Sequence, residues 1–100
     1  MSFERIMGLD VINDEDYQRY RECMIPILKS FGGNFGFDFK VSEVLKSKSD
    51  NAINRVFTID FPSIEVMDAF FSDPSYLEVK NQYFKNSVKS VTLISLHEAK

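Results

Sequence analysis

The sequence predicts an α+β domain of order β-α-β-β-α-β, an antiparallel sheet carrying its helices on one face. Two observations predict it. Apolar residues alternate at both ends of the chain and in its middle, and between those runs they recur at three- and four-residue steps. With 100 residues and 44% hydrophobic content, a single domain spanning residues 1–100 around one core is expected. Ten Phe supply the apolar bulk, so no disulfide or metal is needed to hold it.

The first strand is read from Phe3, Met7, Leu9 and Val11, which alternate with Glu4, Gly8 and Asp10. Asn13 then stands before Asp14, Glu15 and Asp16, a capping side chain followed by acids that favour a helix N-terminus. Tyr17, Tyr20, Met24, Ile27, Leu28 and Phe31 form one apolar stripe, which stops at Gly32-Gly33. Pro26 lies inside this helix and predicts a kink or loosened turn. Cys23, near the border of the stripe, reads as a packing residue.

Phe35, Phe37, Phe39 and Val41 alternate with Gly36, Asp38, Lys40 and Ser42, predicting a second strand with one wholly apolar, aromatic face. Residues 46–51 are small and polar and read as an exposed loop to a third strand over Ile53–Phe61. Ser63 caps a short helix bearing Val66, Met67, Phe70 and Phe71, and Asp73-Pro74 restarts it toward Tyr76, Val79, Tyr83 and Phe84. Val88–His97 closes the chain as a strand apolar on both faces in its middle. Right-handed crossovers turn this order into the split βαβ, or ferredoxin-like βαββαβ, plan.

A formal charge of −3 with no run of Lys or Arg excludes an electrostatic footprint for nucleic acid or anionic lipid. Met1-Ser2-Phe3-Glu4-Arg5 turns charged at once, and no apolar run reaches the length of a membrane span. The lone Cys23 fits a reducing compartment, so a cytoplasmic location is expected. Apolar residues on both faces of the third and fourth strands predict a homodimer that covers the open sheet face. Cover by a loop or by the chain's own tail is the alternative.

In order, Asp10, Tyr17, Tyr20, Pro26 before Gly32-Gly33, Arg55, Phe61-Pro62-Ser63 and Ser72-Asp73-Pro74-Ser75-Tyr76 resemble the landmarks of the family catalogued as domain of unknown function 1330. The resemblance spans nearly the whole chain and implies the dimeric α/β-barrel superfamily, hence the ferredoxin-like fold and a homodimer. That superfamily is rich in small-molecule sites, while the family itself has no settled activity. This chain has Phe70-Phe71 where the family usually has a pair beginning with Trp. It also has Lys85 and Lys89 where the family is often richer in Arg, and Lys lacks the bidentate fork.

Arg55 is the first candidate, because an Arg entering a Phe-rich sheet can hold a carboxylate by two parallel hydrogen bonds. The structural reading, a salt bridge to Asp10, Asp38 or Asp60, is the weightier one. The expected ligand site lies between helices and sheet, lined by Tyr17, Phe37, Phe39 and Phe57 with Asp38 nearby. Tyr17 and Tyr20 could offer hydroxyls to a polar substituent there. His97, the only imidazole, reads as solvated at a strand end. Asp10, Asp38 and Asp60 on separate strands form no sequence-defined acid–base pair. Neither paired Cys nor HxxxH spacing occurs, so no metal and no cofactor are expected, and no catalytic residue is assigned. Two functions follow: a dimer that binds or transforms a small organic acid or aromatic compound, or a non-enzymatic dimerisation module.

Overall fold

In the computed structural model, which describes residues 2–99, the chain runs β1 (Ser2–Val11), α1 (Asp14–Ser30), β2 (Asn34–Lys40), β3 (Arg55–Phe61), α2 (Ile64–Ser72), α3 (Pro74–Val79) and β4 (Val88–Ala99). A π turn (Lys80–Phe84) and one more helical turn (Lys85–Ser87) join α3 to β4. All strand pairs are antiparallel, in the order β2-β3-β1-β4. The fold is the expected α+β one, with the helices on one face.

β1 is central, and its register shows which side is buried. Phe3, Arg5, Met7 and Leu9 sit opposite Phe61, Ile59, Phe57 and Arg55, and cross-strand partners project to the same side. That side meets the helices, where Phe61 and Phe70 are fully buried. Each such ring contributes roughly 1.5–3 kcal/mol of burial.

Local chemistry ends the helices where the residues predict. The Asn13 side chain accepts from the Asp16 amide, Ser63 from Val66 and Asp73 from Tyr76. Gly32 has φ +78°, comfortable only for glycine, and the Gly33 amide donates to the Leu28 carbonyl at 3.0 Å, closing α1. α1 runs through Pro26 as one helix of 17 residues, with the proline exposed. Cys23 is exposed, not packed. The buried stripe runs through Tyr17, Tyr20, Arg21, Met24 and Leu28, and Cys23 falls outside it.

Three expectations about the strands need correction. β2 carries an extra residue against β3, since Phe35 pairs with Ile59 but Asp38 already pairs with Phe57. That bulge splits the aromatic run: Phe35 turns to the core, while Phe37 and Phe39 stack on each other on the opposite side, 63% and 56% exposed. In β4, Leu93 pairs with Met7 and Ser95 with Ile6, leaving Ile94 extra. Val91, Leu93 and Leu96 therefore share the helix side instead of alternating faces. Finally, β3 starts at Arg55 and Ile53 belongs to the preceding loop, whose side chain packs against Gly8. With Asn51 donating to Thr92, that loop covers one end of the open sheet face.

Candidate functional site

Between the sheet and the helices lies a cavity of about 490 Å3, within the range of small-molecule sites. Its floor is Met7, Leu9, Phe57 and Ile59, and its roof includes Tyr17, Tyr20, Met67 and Phe71. Apolar alternation on β1 and β3 and the α1 stripe supply these walls.

Arg5 interrupts the apolar floor. Strand alternation places it between Phe3 and Met7 on the inward side, opposite Ile59. Its guanidinium lies 4.7 Å from the Phe71 ring centroid, and its Nε is buried with no hydrogen-bond partner in the protein. A buried donor without an acceptor is uncommon, and a charged one more so.

A second polar pair faces the same space. The Tyr20 and Tyr76 hydroxyls are 2.9 Å apart, from α1 and α3. Burial raises both phenols above their ordinary value, Tyr20 well above it. Both therefore stay protonated through and beyond neutral pH and act as hydrogen-bond donors.

Arg21, buried on α1, is already satisfied. Arg21 Nε donates to the Tyr17 hydroxyl at 2.8 Å, its Nη1 donates to Asp38 at 3.1 Å, and its plane lies 4.1 Å from the Phe35 centroid. Arg55 completes the network, donating to both Asp38 oxygens at 2.8 Å through Nε and Nη2. Burial opposes ionisation of Asp38, but the hydrogen bonds and charges of Arg55 and Arg21 outweigh it and hold the carboxyl below its ordinary value. The hydrogen bond from Asp38 in turn raises Arg55. Arg55 thus has the salt bridge that was the weightier reading of the sequence, with Asp38 as the partner.

The sequence-derived candidates therefore divide. Tyr17 and Phe57 line the cavity; Arg55 borders a smaller cleft of about 180 Å3 with Lys40 and Asp14. Phe37 and Phe39 do not reach the cavity, because the β2 bulge turns them to the other side of the sheet. Asp38 belongs to the ion network beside it. Asp10 and Asp60 pair with Ser90 and Glu4 on the side away from Asp38, so the three acids do not converge. Burial and the Glu4 charge raise Asp60. His97 is not merely solvated: its Nε2 lies 2.9 Å from a Glu4 oxygen and its Nδ1 2.8 Å from the Ser95 hydroxyl, on the open sheet face. Sequence reasoning missed Arg5, Arg21 and Tyr76; the inward period of β1 and the α1 stripe carry a signal for the first two.

Among the described residues, no cluster of three or more His, Cys, Asp or Glu is placed to hold a metal ion, and no helix is long and apolar enough to cross a membrane.

Residues 5–96 match the family described as Domain of unknown function (DUF1330). The chain belongs to that family. No curated protein matches it. Among solved structures it is similar to a protein of unknown function from Rhodopseudomonas palustris, with 17% identity and a TM-score of 0.81, covering 99% of this chain and 82% of that one. A dabb family protein with a ferredoxin-like fold from Mesorhizobium loti has 12% identity and a TM-score of 0.67, covering 99% and 97%. A dimeric ferredoxin-like protein of unknown function from Jannaschia sp. has 14% identity and a TM-score of 0.64, covering 99% and 100%. At these identities the likeness is one of fold.

Proposed function

We propose that this DUF1330 protein binds a small organic acid with an apolar or aromatic body in the cavity between sheet and helices, with no metal ion required. The observation that carries this reading is Arg5, whose buried Nε lacks a protein acceptor, in a cavity walled by aromatic and aliphatic side chains. A carboxylate would supply the missing acceptor, and the rings would take the body. Arg21 cannot fill this role, since Asp38 and Tyr17 hold it.

Calorimetric titration with 4-phenylbutanoate tests the reading. The unaltered protein should bind, and Arg5→Met should weaken binding at least tenfold while keeping its circular dichroism spectrum. Equal binding by the two proteins would remove Arg5 as the anchor.

The exposed apolar set favours a second property of the same molecule, a homodimer. Phe37 and Phe39 are stacked and open on one side of the sheet, and Val91, Leu93 and Leu96 are 43–49% exposed along its edge. Monomers rarely leave such surface uncovered, and the Jannaschia neighbour is dimeric. Light scattering should return twice the chain mass, falling to one chain for Phe37→Glu/Phe39→Glu; a monomeric unaltered protein would end this reading.

A further inference from the structure

The two cavity phenols carry two protons between them, and one hydrogen bond at 2.9 Å uses only one. Whichever tyrosine donates, the other's proton has no acceptor among the described residues. Both groups are buried, Tyr20 at 5% and Tyr76 at 3% exposure, and both border the cavity. Tyr20 is flanked by Phe84 at 4.9 Å between ring centroids, and Tyr76 by Phe70 at 4.5 Å. A buried hydroxyl donor calls for an oxygen acceptor.

The surplus donor stands close to the Arg5 anchor. Arg5 and Tyr76 border the same ring, Phe71, at 4.7 and 5.6 Å from its centroid. Phe71 thus adjoins both the Arg5 guanidinium and the Tyr76 ring in the wall of one cavity.

We propose that the ligand is an oxo acid with an apolar or aromatic body, its carboxylate taken by Arg5 and its ketone oxygen by the Tyr20–Tyr76 pair. This rests on the acid-binding reading above and adds a second recognition element to it. A neutral ketone suits the phenols because it accepts a hydrogen bond without requiring a counter-charge, which the pair does not supply. A second carboxylate would have to be desolvated against uncharged donors, at greater cost.

The test compares 3-benzoylpropionate with 4-phenylbutanoate, which differ by one ketone oxygen, by calorimetry on the full chain. The unaltered protein should bind the oxo acid about five- to tenfold more tightly, the value of one neutral hydrogen bond. Tyr20→Phe/Tyr76→Phe should lose that preference, binding the two acids with equal affinity. Equal affinity of the two acids for the unaltered protein overturns the proposal while leaving the acid-binding reading standing, and needs no variant to fold. Binding of neither acid overturns both. A preference that survives in the double variant, shown folded by its thermal transition, assigns the ketone elsewhere and overturns the role of the pair.

Discussion

Arg5 and Arg55 rise from the same side of the same sheet, on adjacent strands, yet their surroundings are opposite. Arg55 is opposite Leu9 and Arg5 opposite Ile59, about 13 Å apart along β1 at the usual rise per residue. At one end Asp38 accepts two hydrogen bonds from Arg55 and two from Arg21, so both guanidinium groups find an acceptor within the protein. At the other, Arg5 has a ring beside it and no acceptor at Nε. The first arrangement holds β2, β3 and α1 together; the second leaves recognition capacity in a cavity. An arginine in an aromatic setting therefore points to a ligand only where the fold has withheld its carboxylate.

Removing the carboxylate gives the largest effect. Asp38→Ala leaves Arg21, whose side chain is only 7% exposed, with no anion, and should cost about 3 kcal/mol in urea unfolding, as breaking a buried pair does. A loss below 1 kcal/mol would mean that water already screens the network.

The same contrast appears in acid. Asp38 has a folded value below its unfolded one, so its stabilisation is complete above the ordinary carboxylate value of roughly 3.9 and is lost as pH falls through the lowered value. Asp60, raised by burial and Glu4, works the other way and loses stability as pH climbs past the ordinary value toward its own. Asp38→Asn should therefore flatten the fall of stability below about pH 4. An unchanged acid limb would place the titrating carboxylate elsewhere.

The smallest effect belongs to Arg5. Because no protein anion depends on it, Arg5→Met should change unfolding stability by less than about 1 kcal/mol, in either direction. A loss like that of Asp38→Ala would make Arg5 structural and erase the difference between the two ends of this sheet face.

Much of this architecture is legible in the chain because its rules are local. A cap needs an acceptor three residues from a free amide, which Asn13, Ser63 and Asp73 provide, and a left-handed stop needs Gly32. Bulges are not local in that sense. The register of β2 against β3 turns Phe37 and Phe39 away from the cavity, and the extra Ile94 brings Leu93 and Leu96 to one side, although simple alternation separates them. Arg5 is legible in the period of β1, but the eye for apolar alternation passes over it. Arg21 sits unnoticed in the α1 stripe for the same reason.

What the sequence by itself determined is the order of elements, the helix caps, the α+β class and the family, since each depends on spacing along the chain. What only the tertiary structure decided is which of three aspartates meets Arg55, which of the inward arginines is left without an acceptor, and that Tyr76 comes within 2.9 Å of Tyr20, 56 positions away. Periodicity tells which side of a strand or helix a residue takes, but hydrogen-bond partners and cavities are settled by register and by how helices seat on the sheet.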